Sequence, residues 1–504
     1  MDHGVFAYIG AQILKGHLPY IHTWESDYPG LMFIQAAEIF VFGKSIYMFR
    51  LFDILFQLGN AYLIYRIAYR VGVERTSALF SAALFCLIYQ GYGPWNTAQR
   101  EGFGLFFILL GFWLFLTAEL RRPLLTAIGI GMGFGIAVLI KPTLLALSAF
   151  YVPLLGCLRR RQGWERLVIA GFGLMIPVAV LVVFYWTQGG LKDLYEACIV
   201  YQSIYTARLR GDESIWMYWL SKLQRMGANA VGLTIVSVPF LLWGEARRER
   251  LMLYAAYLGS VFAVFVQGTF AGYHYLPGLG IGSILIGSMF SQVTKVLLGE
   301  RTLGFGGWKL SLRAGAVLVA LSMATFVYAK PVYIERLVTL HFLERPSPGE
   351  YRNALVFDFT EDFDVAEYLR THTAPDEPIQ VWGYESLVYY LADRDAASRF
   401  QMTHPLVMRV PGEGITPMQL EWRKEFMQDM ERRQPKYVAV VRNDNWWWAP
   451  GEKTSEQLLE DFAEWKAFIQ KNYVLEHTVG RFLVYRRGAD GLSPAPVTIE
   501  DRSQ

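Results

Sequence analysis

Charge is what this sequence has least of. Only 18% of its 504 residues are Asp, Glu, Lys or Arg, where soluble domains carry about 25%. The formal net charge is +3, and no run of five or six like charges occurs, so no nucleic-acid partner is expected. Cysteine is scarce too: Cys86, Cys157 and Cys198 are the only three, too scattered for a disulfide or metal framework. A Gly-rich phosphate loop, an HExxH pair and a Cys/His metal spacing are all missing. What fills the chain is apolar. Hydrophobic residues make up 53% and aromatics 15%, and the mean hydropathy is +0.25. This is the composition of a membrane protein.

Apolar runs of spanning or near-spanning length fall at roughly 46–66, 77–93, 102–118, 124–140, 143–158, 166–186, 228–243, 250–268, 275–297 and 312–330, which makes about ten spans. Basic residues near span ends stay on the cytoplasmic side. Arg66, Arg70 and Arg75, then Arg121 and Arg122, Arg159 to Arg161, Arg247, Arg248 and Arg250, and finally Lys295, Arg301, Lys309 and Arg313 occupy every second connection. Residues 1–45 and everything after about 330 are therefore expected outside the cytoplasm of a multi-pass protein of the inner (plasma) membrane. The reading divides the chain into a first extracytoplasmic loop with interfacial helices (1–45), a transmembrane domain (46–330), a small extracytoplasmic α/β domain (331–490) and a flexible tail (491–504). In the tail domain, strands are expected at 378–383, 436–442 and 481–487, alternating with amphipathic helices near 361–373, 417–434 and 454–470.

Polar residues beside the membrane are solvated, paired or functional, and the outer face collects Asp2, Glu25, Asp27, Arg100, Glu101, Lys141 and His274. Asp2 heads an aromatic-rich amphipathic segment, as a general base or as a carboxylate complementing a helix dipole. In "HTWESDYPG", capping and turn formation account for Ser26, Asp27 and Pro29. That leaves Glu25 without a structural duty. Arg100 and Glu101 open a span as phosphate and sugar ligands or in a mutual or helix-end ion pair. Lys141 breaks an apolar stretch on the outer side, against the usual bias, which suits an anionic lipid partner or snorkelling to headgroups. Tyr273, His274 and Tyr275 begin another span and also fit an aromatic belt. The run Trp446 to Trp448 fits stacking on sugars or rest on the bilayer surface.

The stretch from "DHGVFAYIGAQILKGHLPYIHTWESDYPG" to Asp53, followed by "NTAQREGF" and "LIKPTLLAL", resembles the GT-C class of membrane glycosyltransferases. The bacterial family 39 type, to which protein mannosyltransferases and aminoarabinose transferases belong, is the branch it is most similar to; "YLRTHTAPDEPIQVWGYESLVYYLADRDAASRF" resembles that family's extracytoplasmic domain. The resemblance implies an α-helical GT-C fold and inverting transfer of a sugar from a polyprenyl-phosphate donor to a protein, lipid or glycan acceptor on the outer face. It maps the family's first-loop acid to Asp2 as catalytic base; the second acid often found there is His3 here. Lys141 and Arg100 are then candidates for the donor phosphate, and Glu25, Glu101, His274, Tyr273 and Tyr275 for sugar or acceptor. No cofactor is required, although Asp2, Glu25 and Glu101 could supply oxygens to a divalent ion. Relatives carry a membrane helix before the first-loop acid, so one further span is expected upstream of Asp2. A flippase or transporter for lipid-linked sugars is the alternative, although transporters place polar residues near the midplane; a non-catalytic member of the superfamily is another.

Overall fold

The structure is a computed structural model that describes residues 2–118, 122–150, 160–210, 214–225, 247–268, 271–297, 304–305, 308–309, 359–409, 414–444 and 453–488. The expected spans at 228–243 and 312–330, the Trp446 to Trp448 run and the tail 491–504 lie outside the described residues.

Two short apolar helices come first, α1 (Asp2–Leu14) and α2 (Gly30–Phe42), and they pack on each other. Gly16, at φ 86°, turns the chain beyond α1, a conformation open to a residue without a Cβ. Then α3 (Ile46–Arg70) begins under Ser45, whose hydroxyl accepts the Tyr47 N–H at 3.2 Å as an N-cap. It is followed by α4 (Arg75–Gly91), the single turn α5 (Gly93–Asn96), α6 (Arg100–Ala118) and α7 (Pro123–Ile140). The run expected at 143–158 begins instead as a 3-10 helix, Pro142–Phe150. Lys141 in front of it is extended (φ −157°, ψ 115°), as the residue before a proline prefers to be.

The longest helix among the described residues is α8 (Arg160–Thr187). It lies directly on α7: a Cβ at Gly131 would stand 2.0 Å from the Ala170 carbonyl oxygen, and one at Gly173 would stand 2.4 Å from that of Ile128. Close approach at small residues holds helices together where lipid removes any hydrophobic incentive. Its other side, with Val168, Phe172, Val180 and Trp186, is exposed, as a lipid-facing surface would be. After α9 (Tyr201–Arg210) and α10 (Ile215–Arg225) come α11 (Arg247–Gln267) and α12 (Leu276–Leu297). Among the described residues, four segments are long and apolar enough to cross a membrane by length and composition: Arg100–Thr117, Pro123–Ile140, Gly163–Thr187 and Arg248–Gln267.

Two short strands, β1 (Gly304–Phe305) and β2 (Trp308–Lys309), form an antiparallel pair. The C-terminal unit is α/β. Its four-stranded sheet runs in the order β3 (Ile379–Trp382), β4 (Tyr437–Val441), β6 (Phe482–Arg487), β5 (Tyr473–Val479), with β3 parallel to β4 and the other pairs antiparallel. Around it lie α13 (Thr360–His372), α14 (Leu387–Ala392), α15 (Pro417–Arg433) and α16 (Ala463–Asn472). Strands β3 and β4 are buried throughout, and β6 is buried over Phe482, Leu483 and Val484. The expected strands at 378–383, 436–442 and 481–487 correspond to β3, β4 and β6. Strand β5 was not anticipated: "YVLEHTV" follows α16 with no turn residue between, and its Glu476, His477 and Thr478 are exposed at the sheet edge.

The unit docks through residues 387–404 onto the first forty-four. Ala396 N–H donates to the Tyr8 hydroxyl at 2.9 Å, Lys15 pairs with Asp395 at 2.7 Å and Lys44 with Asp393 at 2.5 Å. Gln401 brackets the backbone of Trp24, its Oε1 accepting the Trp24 N–H at 2.9 Å and its Nε2 donating to the Trp24 carbonyl at 2.6 Å.

Candidate active site

The termini of four helices meet where the N-terminal loop turns into α2. A Cβ at Gly30, the first residue of α2, would stand 2.7 Å from the backbone nitrogen of Ile140, the last residue of α7. Arg100 and Glu101 start α6, Lys141 follows α7, and His274 sits in the 3-10 turn Gly272–Tyr275 that leads into α12. Charged side chains from distant parts of the sequence thus converge at one end of the bundle.

Arg100 and Glu101 do not pair with each other. The Arg100 guanidinium forms an ion pair with Asp27, and the Lys141 ammonium one with Glu101 Oε1. Both members of the second pair are buried, so Lys141 is held inward rather than snorkelling. His274 Nε2 lies 3.8 Å from the same Glu101 oxygen. The Lys141 ammonium also stands 5.5 Å from the centroid of the Tyr273 ring, which meets His274 edge-on at 4.6 Å. Burial, then the cations Lys141 and Arg100, hold His274 well below the usual histidine range, which keeps the ring neutral at physiological pH.

The duties of Glu25 and Asp27 are the reverse of the expected ones. Helix α2 has Pro29 at its N-cap with no side-chain cap, so Asp27 is not a capping residue. It is Glu25 that makes the turn: its Oε1 accepts the Ser26 N–H at 2.7 Å and the Asp27 N–H at 3.2 Å. Asp27 is thereby left to face Arg100. Burial, and after it the charge of Asp27, raises the Glu25 carboxyl to about 8. Tyr20 locks the same turn by donating its hydroxyl to the Asp27 carbonyl at 2.6 Å.

Asp2 is the first residue of α1, and its side chain lies outside the described part of the structure. Its neighbour His3 is packed against Phe49, with ring centroids 5.6 Å apart, and its Nδ1 is 3.5 Å from Arg50 Nη2. Arg50 Nη1 in turn donates to Thr97 Oγ1 at 3.2 Å, and the Arg100 guanidinium carbon lies 5.9 Å from the Phe6 ring centroid. The start of α1 therefore runs beside the Arg100 segment. Tyr275 is half-buried and interacts with Tyr92. Among the described residues, no three His, Cys, Asp or Glu groups are arranged to hold a metal ion.

The arrangement also contains residues that reading the sequence did not single out. Asp53, Gln57 and Asn60 lie buried on α3 beneath the Arg100 segment, joined to Tyr89 of α4. Their spacing of four and three within an apolar run was the available signal.

Residues 18–189, about a third of the chain, match the family described as Dolichyl-phosphate-mannose-protein mannosyltransferase. This stretch holds Glu25, Asp27, Arg100, Glu101 and Lys141. No curated protein matches the chain. Among solved structures, the chain is similar to ArnT from Cupriavidus metallidurans bound to undecaprenyl phosphate, with 12% identity and a TM-score of 0.57 over 99% of this chain and 95% of that one. It is also similar to the apo state of the same ArnT, with 11% identity and a TM-score of 0.49 over 98% and 94%. The protein has the GT-C fold. The resemblance seen in the sequence is thus borne out by the family match over residues 18–189 and by the fold shared with ArnT.

Proposed function

We propose that this protein is an inverting GT-C glycosyltransferase that moves a sugar from a polyprenyl-phosphate donor to an acceptor hydroxyl at the extracytoplasmic face of the inner membrane. The observation that carries the reading is the meeting of Arg100, Asp27, Glu101, Lys141 and His274 at one end of an apolar bundle, in a chain whose family is described by transfer from a lipid-linked sugar. A fold shared with an ArnT bound to undecaprenyl phosphate supports it.

In this reading each residue has one duty. The donor phosphate approaches the end of the bundle and draws on the Arg100 guanidinium and the Lys141 ammonium, where negative charge develops as the glycosidic bond breaks. Asp27 and Glu101 hold those two cations in place before the donor arrives. His274 and Tyr273, on the far side of Lys141, contact the sugar or acceptor, with Glu25 and Tyr275 at the margin. Asp2, at the head of α1, takes the proton of the attacking hydroxyl. The C-terminal unit, on the extracytoplasmic side, holds the N-terminal loop and contributes to the acceptor side.

Transfer from a labelled polyprenyl-phosphate sugar, measured in membranes and in nanodiscs, tests this. Asp2→Asn is expected to abolish transfer at unchanged protein level; undiminished transfer refutes the general-base role. Lipid-linked sugar that crosses the bilayer without any transfer would instead favour a flippase.

A further inference from the structure

Asp53, Gln57 and Asn60 share one face of α3, and all three are buried. Polar groups at such depth are costly unless they satisfy one another, and these form a connected set. The Tyr89 hydroxyl donates to Asp53 Oδ1 at 2.7 Å, Gln57 Nε2 to the same oxygen at 3.1 Å, and Asn60 Nδ2 to Gln57 Oε1 at 2.7 Å. The set then reaches out to residues 98–102. Tyr89 Oη accepts the Ala98 N–H at 2.7 Å, and Asn60 Nδ2 donates to the Gly102 carbonyl at 2.9 Å. A Cβ at Gly102 would stand 2.9 Å from Gln57 Nε2, so any larger residue there would displace the Gln57 amide from the set.

Ala98 is fully buried at φ 57°, a left-handed conformation that an alanine keeps only where its surroundings hold it. The Tyr89 hydroxyl holds it, by accepting its N–H. A phenol has a single proton, and Asp53 takes it, which turns the oxygen lone pairs of Tyr89 toward the Ala98 N–H. Arg100 and Glu101 follow two and three residues later.

We propose that Asp53 and Tyr89 are positioning residues: a buried carboxylate–phenol relay that pins Ala98 in its left-handed turn and so aims Arg100 at Asp27 and Glu101 at Lys141. The inference rests on the function proposed above insofar as those side chains serve the donor phosphate. Without the hydroxyl the Ala98 N–H loses its closest acceptor, at 2.7 Å, and keeps only its interaction with the Asp53 carboxylate behind it; the turn relaxes, and the two charged residues shift together. A displacement of about 1 Å at such a site costs on the order of a hundredfold in rate.

The test uses the full chain in nanodiscs, with the variants Tyr89→Phe, Asp53→Asn and Asp53→Leu. Transfer from a labelled polyprenyl-phosphate sugar is measured beside binding of undecaprenyl phosphate by native mass spectrometry. Tyr89→Phe and Asp53→Leu are expected to lower kcat by about tenfold or more and to weaken lipid-phosphate binding. Asp53→Asn, which keeps an oxygen to accept the phenol proton, is expected to retain activity within about threefold of wild type. Wild-type turnover from Tyr89→Phe overturns the inference, and so does an Asp53→Asn variant as impaired as Asp53→Leu. Should Tyr89→Phe fail to fold, the two Asp53 variants decide the matter between them. If the wild type itself shows no transfer, the functional reading falls, and lipid-phosphate binding alone judges the relay: unchanged binding by Tyr89→Phe, or by Asp53→Leu, refutes it.

Discussion

Replacing Lys141 with Met removes the ammonium bonded to Glu101 while keeping a flexible apolar side chain of comparable length. The relative exposure of the two side chains is 10% for Lys141 and 1% for Glu101, so the carboxylate left behind has no route to water. Removing one partner of a buried pair costs about 3–5 kcal/mol, mostly from the charge left uncompensated. The lower part of that range is expected here, because His274 Nε2 is already 3.8 Å away and can take a proton. Glu101 Oε2 has no hydrogen-bond partner among the described residues, so His274 is the contact left to the carboxylate.

Removing both charges together should therefore be milder than removing one. Lys141→Met with Glu101→Gln buries an amide in place of an ion, and the double-mutant cycle should show a coupling of roughly 1–3 kcal/mol. The assay is reversible unfolding in mixed micelles, with the four proteins measured side by side. A second readout is the His274 ring proton in NMR: the repulsion by Lys141 that helps to hold its pKa down is gone, so the ring should titrate at higher pH in Lys141→Met. A single variant within about 1 kcal/mol of wild type, with no coupling and an unmoved His274, would refute a buried pair worth this much.

Glu25, raised to about 8 from 4.5, binds a proton more tightly folded than unfolded. Its contribution to stability is complete below about pH 4.5 and is lost as pH rises toward 8; Glu25→Gln should flatten the fall in melting temperature over that window. At the docking face, Gln401→Leu removes both hydrogen bonds to the Trp24 backbone. A loss of about 1–3 kcal/mol is expected, since the buried Trp24 C=O is stranded while its N–H keeps the Arg399 carbonyl at 2.7 Å, and faster hydrogen exchange at residues 20–27 should report it. In the bundle, Gly131→Leu forces side-chain atoms against the Ala170 carbonyl and should separate α7 from α8, lowering the yield of monodisperse protein, whereas Leu at Gly171, which faces open space, should be tolerated.

Local features of this chain were legible, and contacts between distant segments were not. The apolar runs carry their own length, so α3, α4, α6, α7, α8, α11 and α12 could be read within a few residues. Strands β3, β4 and β6 were visible because each is a short apolar run bounded by polar or turn residues. The gathering of Arg100, Glu101, Lys141 and His274 on one face followed from counting spans. Their pairing did not. Arg100 and Glu101 looked like partners because they are adjacent, yet successive helix residues point about 100° apart, and each found a partner elsewhere. Asp27 looked like a cap because Ser-Asp-Tyr-Pro is a common way into a helix. Nothing local reveals that the Glu25 carboxylate has already taken the turn's N–H groups.

The longest of these contacts explain why a membrane enzyme of this kind would keep an α/β unit beside its site. Arg399 donates to the Tyr20 carbonyl at 2.6 Å and Gln401 brackets Trp24, while the Tyr20 hydroxyl holds the Asp27 carbonyl. Through two residues 379 and 377 positions downstream, the unit grips the segment that leads into Glu25 and Asp27. From below, Tyr89 holds Ala98 and so sets Arg100. The Arg100–Asp27 pair is thus clamped from two sides by separate parts of the chain, and neither clamp touches the charges themselves. A loop of mixed polar and aromatic residues would otherwise fluctuate at the membrane surface, and each freed side chain would add entropy to be lost again on donor binding. On the proposed function, the C-terminal unit serves to pre-organise the anion-binding end of the bundle, a role that depends on its docking surface and not on a reactive group of its own.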